Sequence, residues 1–222
     1  MKKLMTITVT VTALTLLPAH PTLAQRVSVG IKGGLNRTEA TMPLHPSVER
    51  TTAQGFHAGA FVALRVAPNL DVQLEALYTE KGFRGIRRDA DLHYELEGGY
   101  VEIPLLIKAR APWTLWQGST PYLFAGPNVG FEVSCDIQGR EGGANLYYLC
   151  DGPPVHFEQR KKLDYGIMVG AGWELPTAVG RLLVDVTYDR GIRDLADSAD
   201  IPGEVRHGAF MISAGFATAR GR

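Results

Sequence analysis

From Leu163 to Leu175 the chain reads LDYGIMVGAGWEL, with an apolar residue at every odd position. The even positions carry Asp164, Gly166, Met168, Gly170, Gly172 and Glu174. Alternation with a period of two is the signature of a strand with unlike faces, and this run outlasts the usual strand of a soluble protein. A tilted strand crosses a bilayer in roughly 9–11 residues, with one face against lipid. The run therefore predicts a membrane-spanning strand.

Seven other segments repeat the pattern. Their apolar positions run from Val27 to Leu35, Phe56 to Val66, Leu70 to Tyr78, Val101 to Ala109, Leu123 to Val133, Leu182 to Tyr188 and Phe210 to Phe216. Eight strands suit a closed antiparallel barrel, since an even count is usual for bacterial membrane barrels. The connections alternate in length. A tight turn at Pro68-Asn69, a modest one from Ala111 to Thr120 and a short one from Thr177 to Gly180 contrast with four long polar stretches. These run about Arg37 to Thr52, Gly82 to Gly98, Asp136 to Lys161 and Ile192 to Arg206. Short turns on one rim and long loops on the other are the pattern of an outer-membrane barrel, with both termini on the short-turn side. The expected fold is thus all-β, an eight-stranded up-and-down transmembrane barrel. Pro104 and Pro127 fall inside strands, where each removes a ladder donor, and are expected to mark bulges.

The ends of the chain agree with export. Lys2 and Lys3 precede a Thr-rich apolar stretch from Leu4 to Leu17, and Thr22-Leu23-Ala24 offers small residues for cleavage, so residues 1–24 read as a signal peptide and 25–222 as the barrel domain. Removing Lys2 and Lys3 from 23 basic residues leaves 21 against 23 acidic ones, a balance that gives no footprint for nucleic acid. Cys135 and Cys150 belong to the exported part and are expected to form a disulfide, which could contribute about 3 kcal/mol on the chain-entropy account.

The polar face carries both signs: Lys32, Arg65, Lys108 and Arg110 among Asp71, Glu75, Glu102, Asp164, Glu174 and Asp185. An eight-stranded barrel is only wide enough for side chains to fill it, so these charges are expected to pair inside a plugged lumen. The alternative turns the barrel inside out, as a soluble lipocalin-like carrier with an apolar core. Tyr78, Tyr165, Trp173, Tyr188, Phe210 and Phe216, near strand ends on the apolar face, fit an interfacial girdle instead.

The ordered motifs resemble the outer-membrane β-barrel family of Bacteroidetes-type bacteria called PorT-like. They are GIKGGLN at Gly30–Asn36, GFHAGAFV at Gly55–Val62, LEALYTEKGF at Leu74–Phe83, YVEIPLLIK at Tyr100–Lys108, PYLFAGPNVGF at Pro121–Phe131, DYGIMVGAGWEL and a closing ISAGF at Ile212–Phe216. The resemblance implies residence in the outer membrane of a Gram-negative bacterium, with membrane lipid and the barrel assembly machinery as partners. It also implies a role linked to secretion or surface-protein maturation. The tail departs from the pattern: Phe216 is followed by Ala217 to Arg222, so either that aromatic or the tail carries the assembly signal.

Candidate chemistry is sparse. His45, His93 and His156 lie in loops, and His57 and His207 lie near strand tops; Ser134 and Ser213 are expected to face inward, on strands that are not neighbours of strand two. No G-x-S-x-G motif accompanies them. QGREGGAN reads as a flexible loop tip, since it lacks the lysine spacing of a phosphate loop. The expectation is a non-enzyme with no cofactor or metal, an outer-membrane hydrolase of lipid or peptide being the alternative. Tyr147, Tyr148 and Phe157, in the loop that the cysteines close, are the candidate contacts for a surface ligand or protein partner.

Overall fold

The computed structural model describes residues 26–41, 48–87, 92–141, 144–150, 162–192 and 206–218. Nine strands follow in chain order: β1 (Val27–Thr41), β2 (Val48–Ala67), β3 (Leu70–Arg87), β4 (Leu92–Arg110), β5 (Thr120–Glu141), β6 (Ala144–Leu149), β7 (Leu163–Pro176), β8 (Gly180–Gly191) and β9 (Arg206–Thr218). Every pairing is antiparallel. The order β4-β3-β2-β1-β9-β8-β7-β5 closes on itself because β4 also pairs with β5. The closed ring thus has eight strands, and β6 is a ninth that hangs on β5 above it. The proposed signal peptide lies outside the described residues.

Side-chain alternation decides which face is inside. Ile31, Leu35, Ile107 and Leu123 are 66%, 73%, 58% and 66% exposed, whereas Asp71, Glu75 and Glu102 are at most 1% exposed. Charges that leave water must be paired, and an apolar exterior of this extent is tolerated only in lipid. β5 keeps its outer face uncharged from Pro121 to Phe131, long enough for a tilted strand to cross a bilayer. The inside-out carrier is excluded by this orientation. Phe56, Tyr78, Phe131, Tyr165, Tyr188 and Phe210 ring the upper edge of the apolar band, with Phe56 and Tyr78 centroids 5.8 Å apart.

The strands outrun that band. The stretch from Gly82 to Gly98, expected as a loop, is mostly β3 and β4, paired from Gly82↔Glu97 to Arg87↔Leu92. β5 continues to Glu141 and folds back as β6. The glycine-containing tip is therefore strand at Gly139, Arg140 and Glu141. The prolines also differ from expectation. Ladder pairs lapse between Leu74↔Leu105 and Leu77↔Glu102, and between Pro104↔Asn128 and Ile107↔Ala125, yet the register resumes unshifted on both sides. Each proline keeps its pairing with one neighbour, Pro104 with Asn128 and Pro127 with Ile167, so the missing donor interrupts one ladder without inserting a residue. The real shifts fall between Thr52 and His57, between Arg65 and Ala67, and at Gly99/Tyr100.

Candidate functional site

Antiparallel register stacks the inward charges in three tiers. Nearest the short turns, Asp71 of β3 lies opposite Arg65 of β2 and Lys108 of β4. Both carboxylate oxygens of Asp71 accept from Arg110, one at 2.9 Å from Nη2, and Arg65 Nε stands 3.6 Å away. Glu174 of β7 meets Lys108 at 2.6 Å, Arg181 at 3.5 Å and Arg110 at 4.0 Å. The middle tier holds Lys32 between Glu75 at 3.1 Å and Asp185 at 3.8 Å. Gln73 donates to Glu75 at 2.6 Å, and the Tyr122 hydroxyl donates to Asp185 at 3.1 Å. In the upper tier Lys81 bridges Glu102 at 2.6 Å and Asp189 at 2.7 Å, while Asn128 donates to Glu102 at 2.8 Å. Asp164 is buried in the same tier, with Gly130 between it and Glu102.

Each lumen lysine also faces a ring. Lys108 Nζ is 3.5 Å from the Tyr122 centroid, Lys81 5.6 Å from Tyr100 and Lys32 5.8 Å from Phe124. A cation held between a carboxylate and an aromatic face keeps favourable partners after losing its water. The expected charge set is therefore brought together in the lumen, and Lys81, Arg181 and Asp189 join it. Continuing the β3 alternation through Glu75, Leu77 and Thr79 leads to Lys81, which the sequence hides by following it with Gly82, a residue that suggests the start of a loop.

Packing leaves little space between the tiers. A cavity of about 10 Å³, lined by Lys32, Glu75, Tyr122, Phe124 and Asp185 among others, has room for about one water. No organic ligand fits there. Among the described residues, no group of three His, Cys, Asp or Glu side chains converges as a metal site would.

One pairing was not foreseen. His57 of β2 and Ser213 of β9 are not on adjacent strands, yet Nε2 and Oγ are 2.8 Å apart. Both are paired in register with Gly34 of β1, which lies between them. With no side chain at Gly34, the two meet across an intervening strand. The dyad is sealed, at 1% and 2% exposure, and His57 Nδ1 has no hydrogen-bond partner to orient it. Hydrolysis would need that orienting group and a route for substrate. The arrangement is that of a cross-strand tie. Ser134, expected inward, is instead exposed, because the shift at Gly99/Tyr100 turns β5 over. His207 lies in β9 opposite Ala40; His45 and His156 lie outside the described residues.

Above the band, β2 to β6 continue as a five-stranded sheet. The Cys135–Cys150 disulfide closes the base of the β5–β6 hairpin, with Cα atoms 5.5 Å apart and the Cys150 N–H donating to Cys135 O at 3.2 Å. Tyr147 and Tyr148 occupy opposite faces, as neighbours in a strand must. Tyr147 is exposed, and its hydroxyl donates to Asp136 at 2.8 Å, a bond that raises its pKa above the ordinary phenol value. Tyr148 is half-buried opposite Ile137. Phe157 lies outside the described residues. A second row, absent from the expected contacts, runs Gly85↔Tyr94↔Gly139. A Cβ on Gly85 would sit 2.3 Å from the Tyr94 ring, so glycine is what admits the aromatic there. A cleft of about 270 Å³ opens at the same strands, lined by Arg84, His93, Glu95, Gln138 and Arg140, whose side chains stand on the face opposite the Tyr94 ring, with Arg84 Nε 2.6 Å from Glu95.

The sequence matches the family described as outer membrane protein beta-barrel domain over residues 20–197 of 222. The chain belongs to that family. Solved structures with a similar fold include the Neisserial surface protein A, NspA, at 16% identity and a TM-score of 0.44, covering 86% of this chain and 96% of that one. OprG from Pseudomonas aeruginosa matches at 10% identity and a TM-score of 0.48, with the same coverages of 86% and 96%. Ail of Yersinia pestis, solved with the heparin analogue sucrose octasulfate, matches at 13% and 0.39, covering 86% and 99%. No curated protein matches. Membership of this family places the barrel in the outer membrane, with the charged tiers as its lumen.

Proposed function

We propose that this barrel is a sealed outer-membrane anchor whose work is done by the extracellular sheet, which binds a polar surface ligand, a saccharide by the chemistry of its cleft. The observation that carries this reading is the cleft itself: on one face of the sheet Arg84, His93, Gln138 and Arg140 supply donors and Glu95 an acceptor. Planar polar groups held on a rigid sheet are what a hydroxyl-rich ligand needs, and the disulfide fixes the sheet's outer hairpin. The filled lumen supports anchoring over transport. The motif order shared with PorT-like barrels favours a link to surface-protein secretion or maturation, in which the same sheet would face the partner.

The test is binding of the detergent-solubilised folded protein to an array of neutral, carboxylated and sulfated glycans. Binding to at least one class is expected. It should be lost in the R84A/H93A/R140A variant with the fold intact, because the cleft lies outside the membrane band. No binding to any class, or binding unchanged in that variant, contradicts the reading. In planar bilayers the wild-type protein is expected to show no conductance to solutes of sugar size.

A further inference from the structure

All three tryptophans of the chain stand on the short-turn rim. Trp173 is an outward residue of β7, 51% exposed, paired in register with Pro121 of β5. Trp113 and Trp116, with Leu115 between them, belong to the turn joining β4 to β5 and are 61%, 81% and 50% exposed. The turn is built rather than slack. The Leu115 N–H donates to Ser119 O at 2.7 Å, the Gly118 N–H to Leu115 O at 3.2 Å and the Ser119 N–H to Trp116 O at 3.1 Å. Gln117 and Gly118 take positive φ values of 56° and 75°, which turns the chain back within one short helical turn. Gly118 lies against Pro176, where a Cβ would meet Cγ at 3.5 Å, so the turn rests on the end of β7 beside Trp173.

Charge separates this rim from the other. The stretch APWTLWQGST from Ala111 to Thr120 has no charged residue, nor has LPTAVG from Leu175 to Gly180. On the extracellular sheet, Arg84, Glu95, Glu97 and Asp136 crowd a few positions. The outer faces of β4 and β5 reach the turn through Ile107 and Leu123, so its apolar surface continues the lipid-facing band without a charged break. Indole rings, with an apolar body and one N–H donor, prefer the headgroup level of a bilayer.

We propose that the turn from Ala111 to Ser119 is a membrane-interface anchor, with Trp113, Leu115 and Trp116 lying beside Trp173 among the headgroups of the leaflet at the short-turn rim. The occupant of this apolar surface is thus phospholipid. Lodged there, the turn fixes the barrel's depth and tilt at one end, as the ring of tyrosines and phenylalanines does at the other.

The tryptophan count makes the test direct. W173F leaves only the two turn tryptophans, and W113F/W116F leaves only Trp173. Each folded variant is reconstituted in phosphatidylcholine vesicles with lipids brominated near the headgroup end of the acyl chain, and aqueous iodide is the opposing quencher. Both variants are expected to lose emission to the brominated lipid to a similar extent and to resist iodide. Emission from W173F that is quenched by iodide and untouched by the lipid would overturn the proposal and leave the turn as a docking surface for a soluble protein. Quenching by neither would also overturn it, in favour of cover by a second copy of the chain. Should W173F fail to fold, subtracting the W113F/W116F emission from that of the wild type gives the same readout for the turn.

Discussion

Replacing Lys81 with methionine is expected to destabilise the barrel by about 3–5 kcal/mol, the cost of breaking a buried ion pair from one side. The ammonium stands 2.6 Å from Glu102 and 2.7 Å from Asp189, and all three side chains are at most 3% exposed. Methionine fills nearly the same volume, so the effect reports the charge and not a cavity. Asn128 then remains as a donor to the two carboxylates, at 2.8 Å to Glu102 and 3.4 Å to Asp189, which cannot replace a cation. Urea titration in detergent, followed by the gel shift between folded and unfolded bands, measures the loss. Replacing the whole set, as K81M/E102Q/D164N/D189N, should recover much of it, because an uncharged cluster has no desolvation to offset. A cost for K81M below about 1 kcal/mol, the range of exposed pairs, would mean that the tier is open to water.

An arginine at Leu105 is the second large effect. Leu105 is outward at the middle of the β4 band and 47% exposed, while its neighbour Leu106 is 1% exposed inside the barrel. A cationic side chain at the bilayer midplane of a barrel costs about 2–4 kcal/mol, and L105R should lose that much in lipid vesicles. Gln138→Arg, in the exposed extracellular sheet, should stay within about 0.5 kcal/mol of wild type. Equal, small effects at the two positions would mean that the β4 outer face does not contact lipid.

How far the sequence could be read follows the environment of each strand. Where one face meets lipid and the other a packed lumen, the period of two is forced, and the faces of β7 or β8 are plain from residue types alone. Above the band that contrast fades. Arg84 and Glu95 form a cross-strand pair, yet in sequence they look like any polar loop, and for the same reason the cleft and β6 went unread. Lys81 sits at the boundary, one residue before a glycine that suggested an end. The contact between His57 and Ser213 depends on the missing side chain of Gly34, a relation among three strands that no local pattern carries. Pro104 and Pro127 show a further limit. A missing donor announces that a ladder is interrupted, but whether the chain answers with an extra residue depends on the neighbouring strand. Here the ladders skip the site and resume.

A charged face forms the lumen of a lipid-embedded barrel. Outer-membrane fractions from cells expressing the full chain, run with and without boiling on a detergent gel, test it most directly. The protein is expected in that fraction, with its unboiled band migrating apart from the boiled one, because a closed eight-stranded barrel resists the detergent until heated. Recovery in the soluble fraction, with a single band under both conditions, would contradict it.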